Sequence, residues 1–125
     1  MDGLFRGRTI LLVEENVDVR TIFSEVFKNE GYPVLEATNG REAYDLMMGS
    51  DDSVNVVLTD LRMPIMDGLE LATLLKNNQR FSSIPIVLLS ATPLKNSWRA
   101  LEVFDALLVK PCLFDEVVST VKAVQ

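Results

Sequence analysis

Five chemically reactive side chains of this 125-residue chain each stand where a run of apolar residues ends. Runs of β-branched and aliphatic residues are typical of strands buried on both faces, and the carboxyl ends of parallel strands meet at one edge of a sheet, where ligands bind. The sequence therefore predicts a shared rim with three carboxylates, a hydroxyl and an amine. Its members are Glu14, Glu15, Asp60, Ser90 and Lys110.

Three carboxylates on one rim repel one another strongly unless a cation lies among them, and oxygen ligands of this kind favour Mg²⁺ or Mn²⁺. A metal-bound carboxylate beside an amine and a hydroxyl also suits phosphoryl transfer, which needs a nucleophile, neutralised charge and donors for the phosphoryl oxygens. Asp60 is the predicted nucleophile, because the buried strand before it would hold it facing solvent.

Each of these residues also has a simpler interpretation when it is taken alone. An acidic pair at a strand end is often only solvated, Ser90 would be a hydroxyl on the approach to a helix, and Lys110 would be a surface cation. The lone Cys112 is interpreted as a small buried filler. The alignment of the acidic pair with Asp60 is what favours the metal-site hypothesis.

Charge and composition exclude several classes of function. Twelve basic and eighteen acidic residues give a net charge of −6, which opposes binding to nucleic acid or anionic membranes. A single cysteine forms no internal disulfide, and we expect a cytoplasmic protein without a signal peptide or membrane span. The lack of histidine excludes a histidine-ligated metalloenzyme and a phosphohistidine donor. Residues 1–125 are expected to form one domain.

Apolar runs and helix-start signals alternate about five times, which predicts an α/β fold with a parallel sheet and helices on both faces. The predicted strands are Thr9–Val13, 33–37, Val54–Asp60, 84–89 and Ala106–Val109. The predicted helices start at Asn16, Asn39, Asp67 and Thr92, with a final one that includes Phe114 and Val121. A proline and a charge place the strand at 33–37 at the sheet edge.

Helical periodicity also predicts which side chains are buried. The first helix is expected to turn Val17, Ile22, Phe23, Val26 and Phe27 toward the core. The last helix is expected to bury Phe114, Val117, Val118, Val121 and Val124. Both helices are therefore predicted to lie on the sheet with one apolar stripe each.

Four motifs resemble those of bacterial two-component response-regulator receiver domains, the CheY-like family. They are V-E-E at 13–15, D-L-R-M-P-I-M-D-G at 60–68, L-L-S-A at 88–91 and L-V-K-P at 108–111. Each is common alone, but together they occur in the right order on the expected elements, and the resemblance covers the whole chain. It implies a flavodoxin-like (βα)5 three-layer sandwich with a five-stranded parallel sheet of order 2-1-3-4-5.

The resemblance also implies a function. Asp60 would accept a phosphoryl group from the phosphohistidine of a histidine kinase or phosphotransfer protein. Mg²⁺ would be held by Glu15, Asp60 and the backbone carbonyl of Arg62. The supporting roles would fall to Glu14 through metal-bound water, to Ser90 on a phosphoryl oxygen and to Lys110 on the phosphoryl charge. The domain would be a signalling module rather than an enzyme. Its own chemistry would be limited to self-phosphorylation and autodephosphorylation, and it would signal by contact with a downstream protein.

That contact is expected on the face built from the fourth helix, last strand and last helix. Glu15 stands where the family usually has aspartate, and Leu107 where it usually has an aromatic residue. These departures set the second hypothesis, a pseudo-receiver that binds a partner without being phosphorylated. A flavodoxin-like nucleotide or flavin binder is a third hypothesis, which the lack of glycine in residues 14–17 weighs against.

Overall fold

The computed structural model describes residues 9–50, 53–91 and 102–125. Its strands are β1 (Thr9–Val13), β2 (Val34–Ala37), β3 (Val54–Asp60), β4 (Ile86–Ser90) and β5 (Ala106–Val109). The helices in the described ranges include α1 (Val17–Asn29), α2 (Gly40–Gly49), α3 (Gly68–Lys76) and a C-terminal helix (Phe114–Val124). All strand pairs are parallel, in the order β2-β1-β3-β4-β5. The predicted fold and strand order are confirmed.

The sheet has a separate apolar core on each face, because successive side chains of a strand point to opposite sides. Leu11, Val57 and Leu88 belong to the core under α2 and α3, together with Leu71 and Leu75 of α3. The second core lies under α1 and the C-terminal helix and includes Ile10, Leu12, Val56, Leu58, Phe23, Phe27, Val117 and Val121. The helices thus cover both faces of the sheet, and most side chains of its central strands are apolar.

Side-chain caps start α1, α2 and α3 where the sequence places them. Asn16 accepts a hydrogen bond from the N–H of Val19 at the start of α1. Asp67 and Glu70 form a capping box at the start of α3. At α2, Asn39 accepts a hydrogen bond from the N–H of Glu42, and the Glu42 carboxylate accepts one from the N–H of Thr38.

β4 starts later than predicted. Residues 84–85 were expected to belong to it, but the strand runs from Ile86 to Ser90. Pro85 has no N–H to offer a neighbouring strand, and the N–H of Ile84 donates to the carbonyl of Phe81 instead. The proline therefore marks the residue before the strand.

The buried face of α1 is narrower than predicted. Phe23 and Phe27 are buried, but Val17 and Ile22 are 59% and 48% exposed. At 3.6 residues per turn, the stripe that points at the sheet passes through 23 and 27 and leaves 17 and 22 at its margin. Phe114 of the C-terminal helix is also 45% exposed, although its ring packs edge-on against that of Phe23, with 5.2 Å between the ring centroids. The predictions for Val17, Ile22 and Phe114 are wrong.

The helix predicted to start at Thr92 lies outside the described residues, as do residues 1–8. In the described ranges, no helix combines the length and the apolar character that crossing a bilayer requires.

Candidate functional site

The strand ends that the sequence singled out form one rim. In the sheet register Val13 pairs with Thr59, Asp60 with Leu89 and Ser90 with Val109. Asp60 ends β3 and Ser90 ends β4, while Glu14 and Lys110 directly follow β1 and β5. The backbone N–H of Lys110 donates to the carbonyl of Ser90 at 2.8 Å. Four predicted site residues are therefore carried by four adjacent strands.

A lysine lies between two carboxylates at the centre of this rim. The Nζ of Lys110 is 3.2 Å from Oδ1 and 3.3 Å from Oδ2 of Asp60. The same Nζ is 3.5 Å from Oε1 of Glu14, whose side chain is buried. Two negative charges thus share one positive charge in a partly desolvated place.

The environment of Asp60 disfavours its charge. Burial, and then the neighbouring charge of Glu14, raise the pKa of the Asp60 carboxyl from 3.8 to about 6, against the opposing effect of Lys110. The floor beneath the carboxylates is mostly apolar and is formed by Leu12, Val13, Phe23, Leu58, Thr59 and Leu89. A cation added beside Asp60 would consequently stabilise the charged form of its carboxylate.

Glu15, the third predicted carboxylate, does not form a cluster with Glu14 and Asp60. Glu15 is exposed at the start of the turn that follows β1, and Arg62 is exposed two residues beyond Asp60. Across the described ranges, no three acidic or cysteine side chains lie close enough together to hold a metal ion. The donors nevertheless suit a hard divalent cation, because two carboxylates and an excess negative charge already meet at Asp60.

The loop after Asp60 is packed against the strand that carries it. The N–H of Gly68 donates to the carbonyl of Leu61 at 2.7 Å, and a Cβ at position 68 would overlap the carbonyl oxygen of Asp60. The loop is also attached to α2, since the N–H of Gly40 donates to the carbonyl of Met66 at 2.9 Å. Glycine at 68 is therefore required by a close backbone approach at the site itself.

The tip of the same loop is strained. Ile65 has a φ of 71°, and the N–H of Met66 donates back to the carbonyl of Pro64 across it. A β-branched residue rarely adopts this conformation. The Ile65 side chain is 79% exposed, so burial does not compensate the strain.

Two groups that hold Glu14 were missed by the sequence analysis. The N–H of Asn16 donates to Oε2 of Glu14 at 3.0 Å, and Nη1 of Arg20 donates to the Glu14 carbonyl at 2.8 Å. The available signal was the position of Arg20 near the N-terminal end of a helix, where a positive charge is unfavourable unless it has a specific partner.

The chain is similar to known proteins both in sequence and in fold. Residues 10–122 match the family described as "Response regulator receiver domain". The match covers most of the chain, and the protein belongs to the response regulator receiver domain family.

Two curated relatives illustrate the sequence similarity. The phosphate regulon transcriptional regulatory protein PhoB of Pseudomonas aeruginosa is 33% identical over 94% of this chain and 52% of its own length. The transcriptional regulatory protein SrrA of Staphylococcus aureus is 34% identical over 91% of this chain and 46% of its own length. The chain therefore spans about half the length of these relatives.

Solved structures share the fold over nearly the whole chain. The response regulator TrrA of Thermotoga maritima, in complex with Mg²⁺ and BeF, has a TM-score of 0.85 and 28% identity, with 94% of this chain and 99% of that one covered. The receiver domain of a signal transduction histidine kinase from Syntrophus aciditrophicus has a TM-score of 0.83 and 29% identity, with 93% and 88% covered.

Proposed function

We propose that this chain is the phosphoacceptor receiver domain of a two-component signalling system. Asp60 takes a phosphoryl group from the phosphohistidine of a histidine kinase or phosphotransfer protein, and the domain then signals by protein contact. The observation that carries the proposal is the single lysine shared by two carboxylates, Glu14 and Asp60, at the carboxyl end of the sheet. Membership of the receiver family supports the same function.

Each residue of the rim has a defined part in the transfer. A carboxylate oxygen of Asp60 forms the new bond to phosphorus as the bond from phosphorus to the donor nitrogen breaks. Lys110, already within 3.3 Å of Asp60, balances the charge of the phosphoryl oxygens, and the Ser90 hydroxyl donates to one of them. Because the pKa of Asp60 is about 6, the side chain is ionised and nucleophilic near neutral pH.

Mg²⁺ is the proposed cofactor, with Mn²⁺ as a possible substitute. Asp60, Glu15 and the carbonyl of Arg62 would hold it, with Glu14 acting through metal-bound water. When bound, the cation supplies neutralisation of the carboxylates and of the incoming phosphoryl group. The complex of the similar protein TrrA with Mg²⁺ and BeF supports this choice.

The decisive experiment is incubation with a small phosphodonor and Mg²⁺, read by intact mass. We expect the wild type to gain one phosphoryl group, and Asp60→Asn to gain none, because an amide is neither nucleophilic nor anionic. Asp67→Asn is the matched control, since asparagine also caps the start of α3, and it should be phosphorylated like the wild type. Equal yields in wild type and Asp60→Asn would contradict the proposal.

A wild type that never gains a phosphoryl group, although the fold is intact, would instead favour the pseudo-receiver. That protein would keep the fold and recognise a partner without the chemistry. A colourless purified protein would argue against a flavin binder.

The length of the Glu15 side chain gives a second testable expectation. Mg²⁺ requires near-ideal octahedral geometry, and glutamate is one methylene longer than the aspartate usual in the family. We expect Glu15→Asp to bind Mg²⁺ severalfold more tightly by calorimetric titration, with Glu25→Asp on the exposed side of α1 as the unchanged control. Weaker binding in Glu15→Asp would show that the rim is adapted to glutamate.

The output of the domain is proposed to be a contact between proteins in the cytoplasm. The described part of the predicted output face carries exposed apolar side chains on the edge strand β5, Leu107 and Val109. The similar proteins PhoB and SrrA are named as transcriptional regulators, so a regulator of transcription is a proposed destination of the signal. With a net charge of −6, this chain itself is not proposed to touch nucleic acid.

A further inference from the structure

One arginine connects three elements behind the rim. Arg20, in the second turn of α1, directs its guanidinium away from its own helix. Its Nη1 donates to the carbonyl of Glu14 at 2.8 Å, and its Nε donates to Oε1 of Glu36 in β2 at 3.1 Å. Its side chain is 15% exposed, so most of the guanidinium is shielded from competing water.

The carboxylate that receives Arg20 is itself held. The hydroxyl of Ser24, which is buried on α1, donates to Oε2 of Glu36 at 3.3 Å. Both oxygens of Glu36 therefore have a donor on α1, and we call Arg20, Ser24 and Glu36 the polar brace. The brace thus joins α1 to the edge strand β2.

The brace acts on the peptide that joins the two acidic residues of the rim. The N–H of Glu14 donates to the carbonyl of Ala37 at 3.0 Å, and its carboxylate faces Asn16 and Lys110. The Glu14 carbonyl is the oxygen of the Glu14–Glu15 peptide bond, and Arg20 holds it. Since a peptide unit is planar, fixing that oxygen also fixes the direction in which the chain enters Glu15.

We propose that Arg20 is a positioning residue for metal binding: by holding the Glu14 carbonyl and bracing it to Glu36, it sets the geometry of the Glu14–Glu15 pair at the rim. The role rests on the proposed function, because it presupposes that the acidic pair receives Mg²⁺. Arg20 itself touches neither the cation nor the phosphoryl group. Its loss lets the Glu14–Glu15 peptide rotate, and the cation then has to order that peptide when it binds.

The test is calorimetric titration with Mg²⁺ alone, without any phosphodonor. We expect Arg20→Ala to weaken Mg²⁺ binding roughly tenfold, as is usual when a group that orients a metal ligand is removed. Arg20→Lys keeps one donor group, the ammonium, at the end of a long side chain, and it replaces the alanine variant in this test if that variant folds poorly. A single ammonium is expected to replace only part of the brace, so this variant should bind severalfold more weakly than wild type.

A second arginine provides the matched control. Arg80 also donates to backbone carbonyls, those of Met48 and Ser50, but it joins the end of α2 to the segment after α3, away from the rim. Arg80→Ala removes a comparable structural contact and should leave the affinity for Mg²⁺ unchanged. Equal weakening by Arg20→Ala and Arg80→Ala would mean that lost stability, and not positioning, is responsible, and would overturn the proposal.

Backbone NMR without metal gives an independent readout. Arg20→Ala should shift the amide signals of Glu15 and Asn16, because the peptide before them has lost its anchor. Unchanged signals there, or an unchanged affinity in Arg20→Ala, would overturn the positioning role while leaving the proposed function intact. A wild type that binds no Mg²⁺ would contradict the proposed cofactor and remove the positioning role with it.

Discussion

Gly68→Ala is expected to destabilise the folded protein by about 3 kcal/mol, the upper end of the range for overpacking a well-packed site. The added Cβ would overlap the carbonyl oxygen of Asp60 and would lie 3.2 Å from the Cα of Leu61. Both neighbours are backbone, so no side chain can turn away to make room. The strand end or the start of α3 has to move instead.

Chain movement there has a functional cost as well. Asp60 stands on the backbone that the new Cβ would push, and Gly68 is the first residue of the helix that Asp67 caps. We therefore expect the surviving folded fraction of Gly68→Ala to accept phosphoryl groups far more slowly than wild type, because misplacing a nucleophile by about 1 Å is enough for a large loss of rate.

Gly49→Ala is the control for this experiment. A Cβ at position 49, in the last turn of α2, would meet nothing within 4 Å. Alanine has the higher helix propensity, so this variant should be as stable as wild type or more stable by roughly 0.5 kcal/mol. Urea unfolding followed by circular dichroism measures both variants, and similar midpoints for Gly68→Ala and Gly49→Ala would contradict the close approach.

The sequence carried enough information for the sheet and for most of the rim. Apolar runs ended at Asp60 and at Ser90, and parallel strands place their carboxyl ends at one edge whatever the order of the strands. The order itself came from the resemblance to receiver domains, because periodicity does not say which strands are neighbours. Capping signals located three helix starts correctly, since a cap depends on residues within one turn of each other.

What the sequence did not carry depends on contacts between distant segments. The bond from Arg20 to Glu36 spans sixteen positions, and neither residue belongs to a local motif. The exposure of Ile22 was missed for a related reason, since the width of a buried stripe depends on how the helix lies on the sheet. No signal in the sequence marks Ile65 for a positive φ, because asparagine or glycine would be the usual sign.

The other large effect expected is that Asp60→Asn stabilises the metal-free protein at neutral pH. In the folded protein the pKa of Asp60 is raised from 3.8 to about 6, so between these values the folded state binds more protons than the unfolded state. Stability then decreases as pH rises through that window. Above the pKa of the folded state, the Asp60 charge lowers the free energy of unfolding by its full amount. This destabilisation disappears as the pH falls toward 4.

The size of the effect follows from the shift. One pKa unit corresponds to about 1.4 kcal/mol, and because 17% of the Asp60 side chain remains exposed, water screens part of it. We expect Asp60→Asn to be more stable than wild type by about 2 kcal/mol at pH 7.5. Asparagine has the shape of a protonated carboxyl, so the difference should nearly vanish at pH 4.

Urea unfolding at a series of pH values, without divalent cations, tests this expectation. The difference between the two proteins is the quantity to plot, because it cancels the titration of carboxylates that do not interact with Asp60. Asp67→Asn removes a negative charge from the same loop and keeps a good helix cap, so its difference from wild type should be small at every pH.

Mg²⁺ should then stabilise wild type and have little effect on Asp60→Asn, since the cation relieves the same repulsion that the amide has already removed. An Asp60→Asn variant less stable than wild type at pH 7.5 would mean that the attraction between Asp60 and Lys110 outweighs burial and the charge of Glu14.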